Sequence, residues 1–155
     1  MPGVPAKKPV PVGGEIYEVA KQQGSRDPGF KDSSEMLKNY KELTVWQKAY
    51  YLCLDIYKIT KRFPMEEKYG LTSQVRRAAV SVPSNIAEGY GRQHTSEYVR
   101  FLQIARGSLN ELITQLEIAR SLDYLQDIGD TIRECDEIGR MLNTLIKKLS
   151  NSSNK

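Results

Sequence analysis

The sequence predicts an all-α protein, folded as an antiparallel up-down-up-down four-helix bundle. Three observations support this fold class. Four stretches after Tyr40 repeat apolar residues at the three- and four-residue spacing of a helix, short connections separate them, and no stretch has the two-residue alternation of a strand. The 155 residues suit one domain, since domains most often contain roughly 100–150 residues.

The first helix is expected from about Lys41 to Arg62, because Pro64 soon follows and prevents its continuation. It carries two apolar stripes. One is formed by Leu43, Trp46, Tyr50, Cys53 and Tyr57. The other is formed by Ala49, Leu52, Ile56, Ile59 and Phe63. One stripe suffices for a core, so the second indicates either a thick core or a subunit contact. If Ile56 lies in a subunit contact, Ile56→Asp should give monomers or aggregates.

The second helix is expected to begin after Gly70 and to run to about Tyr90. Its apolar stripe consists of Leu71, Val75, Ala78, Val82 and Ile86. Pro83 lies inside it and removes one backbone hydrogen bond, which predicts a kink over residues 79–82. The hydroxyls of Ser81 and Ser84 flank this point and can bond the freed carbonyls.

The third helix is expected to open with Thr95 or Ser96 as its N-cap, after Gly89 and Gly91 stop the second helix. It has the most regular pattern in the chain, a strict 4-3-4-3 spacing. The residues in this register are Tyr98, Leu102, Ala105, Leu109, Leu112, Leu116 and Ala119. Gly107 interrupts the helix at some cost in propensity, which suggests a close approach to a neighbouring helix.

The fourth helix is expected from about Asp127 to Leu149. Its apolar residues are Ile128, Ile132, Cys135, Ile138, Leu142, Leu145 and Leu149. The predicted organisation is therefore a bundle over residues 39–150 and a frayed tail over residues 151–155. Residues 1–38 hold five of the seven prolines and predict a flexible arm that could dock another protein.

Composition argues against several classes of protein. No apolar run is long enough to span a membrane, and no secretory signal is recognisable, so we expect a cytoplasmic protein. Cys53 and Cys135 fall at apolar helix positions and are expected to be buried thiols without a disulfide. The one histidine, His94, lies in a connection, and no metal, cofactor or nucleophile motif is present. We therefore expect no enzymatic activity and no cofactor.

Charge divides the bundle into two halves. Between residues 58 and 106 there are nine basic and four acidic residues, a net charge of +5. Between residues 107 and 140 there are three basic and eight acidic residues, a net charge of −5. The basic half can attract a polyanion, and the acidic half could meet the basic half of a neighbouring subunit head to tail.

The basic half supplies the candidate site residues. Arginine forks and lysines suit phosphate, and the residues predicted to bind nucleic acid are Lys58, Lys61, Arg62, Arg76, Arg77 and Arg92. A structural alternative exists for the adjacent arginines of the second helix, which could form ion pairs with Glu111 or Glu117 of the third. The functional alternative is a protein-interaction scaffold, in which arginines join subunits and the N-terminal arm recruits a partner.

A family resemblance enters at residues 74–92, QVRRAAVSVPSNIAEGYGR. With its flanks LTVWQKAYYLCLDIY (43–57) and EYVRFLQIARGSLNELITQLEIARSLDYL (97–125), this segment resembles the bacterial four-helix bundle proteins called 23S rRNA intervening-sequence proteins, or S23 ribosomal proteins. The resemblance covers residues 40–149. The motif residues are Arg76, Arg77, Pro83, Asn85, Glu88, Gly89, Gly91 and Arg92.

The resemblance implies a ring-shaped homo-oligomer, with a pentamer expected, and an association with RNA. The family is also similar to the basic, pentameric accessory proteins that work with a reverse transcriptase in diversity-generating retroelements, so that role is a further alternative. No catalytic residue is attached to the motif. Asn85 and Glu88 lie three residues apart and are expected to close a buried polar network between helices.

Overall fold

The computed structural model describes residues 39–152 and contains four α-helices. They are α1 (Thr44–Ile59), α2 (Leu71–Tyr90), α3 (Thr95–Ser121) and α4 (Gly129–Ser152). Three short 3-10 turns accompany them, at Tyr40–Glu42, Thr60–Arg62 and Met65–Glu67. Since these residues include no strand, the all-α prediction is confirmed. The predicted arm, residues 1–38, and residues 153–155 lie outside the described part of the chain.

Consecutive helices run antiparallel, as cross-contacts show. Near its end, α2 meets the start of α3 where Gly89 approaches Tyr98, and farther back the hydroxyls of Ser81 and Ser108 are 2.8 Å apart. Between α3 and α4, an Arg106 nitrogen lies 2.9 Å from the Asn143 side-chain oxygen. These pairings fit an up-down bundle, in which short connections join neighbouring helices.

The positions of the two apolar stripes of α1 differ from those that the subunit-contact hypothesis predicts. Ile56 is 0 % exposed within the single chain and packs with Ala49 and Leu52 in the bundle core. In the other stripe Tyr50 and Tyr57 face outward, with 40 % and 41 % exposed, while Leu43, Trp46 and Cys53 pack against the core. The assignment of Ile56 to a subunit contact is therefore wrong. Ile56→Asp would place an unpaired charge in the core of one chain and would test folding, not assembly.

Two glycines have different roles from those predicted in α2 and α3. Helix α2 continues through the buried Pro83, and Gly89 lies inside the helix instead of stopping it, while Gly91 forms the C-cap. A Cβ at Gly89 would lie 2.8 Å from the Phe101 Cβ, so α2 and α3 pack closely here. Gly107 has no atom within 4 Å of the place its Cβ would occupy. The predicted close approach at Gly107 is therefore wrong.

Two helix ends also differ from the prediction. His94, not Thr95 or Ser96, is the N-cap residue of α3, and no side-chain cap bond forms there within the described residues. Helix α4 continues to Ser152, past the predicted boundary at residue 150. Among residues 39–152, no helix is long and apolar enough to cross a membrane.

Both cysteines are thiols without a disulfide, as predicted. Cys135 is buried among apolar residues of the core, and Cys53 is half-buried on α1. Burial, together with the neighbouring Glu134 and Asp136 carboxylates, raises the pKa of the Cys135 thiol to about 12. A thiol of this kind is a small apolar side chain and not a nucleophile.

One end of the bundle is held together by contacts between its two connections. The Tyr124 hydroxyl, after α3, donates to the Glu67 carboxylate at 3.2 Å, and the Tyr124 and Phe63 rings are 5.7 Å apart. Asp123, with a φ of 60°, ends α3 in the left-handed conformation that a Schellman cap requires. The other Glu67 oxygen accepts the backbone N–H of Leu71 at 2.8 Å and so caps α2.

The glycines give a matched pair of stability predictions. Gly89→Ala should lower the free energy of unfolding by about 1–3 kcal/mol, because the added methyl overlaps the backbone oxygen of Tyr98 as well as the Phe101 Cβ. Gly107→Ala should raise it by up to about 1 kcal/mol, because alanine favours a helix and meets no neighbour. Urea unfolding of the two variants measures both values. Equal changes in the free energy of unfolding would contradict the close packing at Gly89 and the open space at Gly107.

Alkaline pH should destabilise the bundle. Burial and the nearby Tyr90 raise the Tyr98 pKa from 10.0 to about 12, and the Cys135 pKa rises from 9.0 to a similar value. Both groups have lower pKa values in the unfolded chain than in the folded one. Their contribution to the free energy of unfolding is therefore fully present below pH 9 and is lost as the pH rises towards 12. Urea unfolding across this range should show a shallower fall for Tyr98→Phe than for the unchanged protein. Parallel curves would contradict the prediction.

Candidate nucleic-acid interface

A groove open to solvent lies along α2 beside the end of α1. It is lined by Tyr57, Lys68, Tyr69, Thr72, Ser73, Arg76, Arg77, Val80, Ser81, Ser84 and Asn85. We call this surface the basic groove. Three of these residues are cationic and none carries a carboxylate. The rest are tyrosines, small hydroxyl side chains, one amide and one valine, so the surface combines positive charge with exposed rings.

Arg76 lines one wall of the basic groove and contacts the end of α1. Its Nε donates to the Thr60 hydroxyl at 2.9 Å, and one terminal nitrogen lies 3.5 Å from the Tyr57 carbonyl oxygen. Its guanidinium also stacks over the Tyr57 ring, 4.8 Å from the centroid. Thr60 is itself buried and donates to the Ile56 carbonyl at 2.8 Å. Arg76 therefore has a structural role, joining α2 to the end of α1.

Arg77 differs from its neighbour. It is exposed, lines the same groove, and makes no hydrogen bond or ion pair with any residue between 39 and 152. Lys68 also lines the groove, with its ammonium 5.4 Å from the centre of the Tyr69 ring. Neither side chain has a carboxylate partner in the described part of the chain. Both charges are therefore available to a ligand.

The remaining predicted residues near the end of α1 do not line the groove. Lys58 is held by Asp55, 3.0 Å away on the same helix face. Lys61 and Arg62 are exposed on the 3-10 turn that follows α1, and Thr60 of that turn binds Arg76. The turn thus brings both cations to the end of the bundle at which the basic groove lies. Lys58, Lys61 and Arg62 are not among the residues that line it.

Arg92 does not join this cluster. It follows α2 at the opposite end from Leu71, sixteen positions beyond Arg76. At about 1.5 Å per helical residue, that separation is roughly 24 Å. Arg92 instead pairs with Glu88 at 2.6 Å and stacks over the Phe101 ring at 4.7 Å. The predicted six-residue surface is therefore divided between two ends of the bundle.

Arg76 has a structural role, but the ion pairs with Glu111 or Glu117 offered as the structural alternative do not form within the described residues. Glu117 pairs with Arg120 at 2.7 Å on α3, and Glu111 accepts from Gln115 at 3.0 Å, so neither contacts Arg76 or Arg77. The acidic half holds its charges in other local pairs, such as Arg133 with Asp130. An ion pair between Lys48 of α1 and Glu137 of α4, 3.1 Å apart, joins two helices that are far apart in the sequence.

The expected network of Asn85 and Glu88 is half correct. The Asn85 side-chain nitrogen donates to the Ser81 carbonyl at 2.8 Å and to the Ser81 hydroxyl at 2.9 Å. The Ser81 hydroxyl in turn bonds Ser108 and so links α2 to α3. Glu88 is exposed, pairs with Arg92 and takes no part in this link. The hydroxyl of Ser81 thus serves a neighbouring helix instead of a carbonyl freed by Pro83.

Of the five cationic and aromatic residues that line the groove, three are absent from the predicted site. Tyr57 was placed in an apolar stripe, and Lys68 and Tyr69 in the connection before α2 were not considered as site residues. The sequence signal for Tyr69 is an aromatic residue between Lys68 and Gly70, just before a helix and outside every apolar stripe. Tyr69 is 88 % exposed. Within residues 39–152, no three acidic, histidine or cysteine side chains form a group that could hold a metal ion.

Comparison with known proteins now identifies the family. The family model described as 23S rRNA-intervening sequence protein matches residues 41–144, more than half of the chain. The chain belongs to this family. The match includes all of α1, α2 and α3 and most of α4, and thus contains the whole basic groove. None of the curated proteins compared with the chain matches it.

A solved structure supports the fold. It is the crystal structure of a protein of unknown function from the S23 ribosomal protein family of Bacteroides thetaiotaomicron, determined at 1.70 Å resolution. The two chains are 20 % identical, with a TM-score of 0.51, and the match covers 68 % of this chain and 94 % of the other. At this identity the similarity establishes a shared helical fold, and function does not follow from fold.

The contacts of the two arginines predict different stability effects. Arg76→Ala should lower the free energy of unfolding by about 1–2 kcal/mol, since it removes two hydrogen bonds and a stacked cation. Arg77→Ala should change it by less than about 0.5 kcal/mol, because the side chain has no partner among the described residues. Thermal and urea unfolding measure both. A larger loss of unfolding free energy in Arg77→Ala than in Arg76→Ala would contradict the assigned roles.

Proposed function

We propose that the protein is a non-catalytic RNA-binding bundle that acts as a homo-oligomer, and that RNA contacts the basic groove. The observation that carries this proposal is the composition of the groove. It presents Lys68, Arg76 and Arg77 with no carboxylate in its lining, next to the rings of Tyr57 and Tyr69. Cations attract phosphates, and aromatic rings stack with bases, so the combination suits a nucleic acid better than a simple anion.

The electrostatic state of the groove favours binding. Arg77 and Lys68 have no carboxylate partner in the part of the chain that the structure describes, so no ion pair has to break when a phosphate arrives. Lys61 and Arg62 extend the positive charge around the end of the bundle. The acidic half, residues 107–140, lies mainly on α3 and α4 and does not line the groove.

Family membership supports RNA as the polyanion. The family description names an intervening sequence of 23S rRNA. RNA is therefore the polyanion to which this description points. A role as an accessory to a reverse transcriptase would use the same positive surface, because that enzyme also handles nucleic acid. The proposal therefore concerns the binding surface, whichever process uses it.

A second candidate function is a protein scaffold, which one observation favours. Tyr50, Leu54 and Tyr57 repeat along α1 at four- and three-residue spacing and are 40 %, 42 % and 41 % exposed. An exposed apolar stripe of this kind suits contact with another protein or another copy of the chain. The proposed oligomer, for which the family resemblance suggests a pentamer, could be built on this stripe, with the basic half of one subunit near the acidic half of the next.

Salt-dependent binding tests the RNA proposal. The purified protein, with its mass measured by light scattering, should bind a structured RNA with micromolar or tighter affinity and a steep negative dependence on salt. Arg77→Ala and Lys68→Ala should each weaken binding and reduce the slope of log affinity against log salt by about 1, since each removes one phosphate contact.

Arg92→Ala provides the matched control, because Arg92 does not line the groove and pairs with Glu88. It should leave both affinity and salt slope unchanged. Loss of binding in Arg92→Ala, with none in Arg77→Ala, would move the interface to the other end of the bundle. An intact protein that binds neither structured RNA nor duplex DNA at low salt would contradict the proposal and favour the scaffold function.

A further inference from the structure

Tyr69 is the least expected side chain on the surface of this bundle. Its ring is 88 % exposed, although a tyrosine ring that contributes to stability normally buries most of its area. Within residues 39–152, no other aromatic ring contacts it, and Lys68 is the one cation placed over it. The ring therefore adds little to the core. It stands at the rim of the basic groove with its faces available to a ligand.

The segment that carries Tyr69 is firmly held. Glu67 accepts the N–H of Gly70 through its carbonyl at 3.0 Å and the N–H of Leu71 through its carboxylate at 2.8 Å. Its second carboxylate oxygen accepts the Tyr124 hydroxyl from the α3–α4 connection. Hydrogen bonds on both sides thus fix the backbone that flanks Tyr69. The backbone that carries the ring therefore loses little conformational freedom when a flat ligand stacks on Tyr69.

The groove wall offers a second aromatic surface and a polar acceptor. Tyr57 is partly covered by the Arg76 guanidinium, and a guanidinium plane also stacks with bases. The Asn85 nitrogen is identified by its bond to a carbonyl oxygen, so its partner atom is Oδ1. That oxygen accepts no hydrogen bond in the part of the chain described, and it can accept one from a 2′-hydroxyl, which every ribonucleotide carries.

These features distinguish unpaired from paired RNA. In a duplex, base faces are already stacked and the outside presents phosphates and sugars, which need cations but no rings. A single strand exposes base faces that can stack on Tyr69 while the backbone follows Arg77 and Lys68. The stacked Tyr57 and Arg76 pair continues the same wall of the groove.

We infer that the basic groove takes an unpaired RNA segment, with one base stacked on Tyr69 and adjacent phosphates on Arg77 and Lys68. This inference rests on the proposed RNA-binding function and specifies the form of RNA that the site selects. Because stacking uses the base face and not its edges, the groove discriminates weakly among the four bases.

Three probes separate stacking from charge. Fluorescence anisotropy would measure the affinity of the full chain for an oligouridylate, for an abasic oligomer of the same length and charge, and for a blunt RNA duplex. The oligouridylate should bind more tightly than the abasic oligomer. Tyr69→Ala should weaken oligouridylate binding by roughly 5- to 150-fold, the effect of losing one stacked base. Tyr69→Phe, which retains the ring, should bind as the unchanged protein does.

The abasic oligomer and the duplex serve as internal controls, since Tyr69→Ala should leave their affinities unchanged while Arg77→Ala weakens all three probes. Circular dichroism would verify that each variant folds. If Tyr69→Ala has no effect on the oligouridylate, or weakens all three probes equally, the stacking inference is wrong and the RNA-binding proposal stands. If the unchanged protein binds none of the probes at low salt, both are wrong.

Discussion

The contact of Arg76 with the end of α1 is the interaction on which the candidate site depends. The side chain bonds Thr60 and the Tyr57 carbonyl and covers one face of the Tyr57 ring. In doing so it sets the position of α2 against α1 and shapes one wall of the basic groove. Because Thr60 is buried and bonded to Ile56, the contact continues into the core. A single arginine thus connects the packing of the bundle to the surface that carries its charge.

The helices could be predicted from local rules, and their packing partners could not. Helix α2 begins after Gly70 and ends at Gly91, as the sequence suggests, and the regular spacing of α3 correctly marks its buried face. The stripes of α1 have the same periodicity, so nothing in the sequence says which one faces the core. Gly89 and Gly107 pose the same difficulty, because a glycine looks alike whether or not another helix lies against it.

The candidate site was predicted in part for a similar reason. Arg76 and Arg77 line the basic groove on α2, and Lys61 and Arg62 lie on the turn after α1 whose Thr60 binds Arg76. Arg92 was included because it belongs to the same motif, but a helix of 20 residues separates the ends of that motif in space. The charges of Arg76 and Arg77 also looked equivalent. One is used by the fold and the other is available to a ligand, a difference that depends on which side of α2 meets Thr60.

The location of bound RNA tests the central claim most directly. Ultraviolet crosslinking of a bound single strand, followed by tryptic digestion and mass spectrometry, would identify the peptides in contact with RNA. We predict crosslinks in the peptide from Tyr69 to Arg76, which carries the exposed ring at the rim of the groove. Crosslinks confined to α3 and α4, which do not line the groove, would contradict the assignment of the basic groove as the RNA-binding surface.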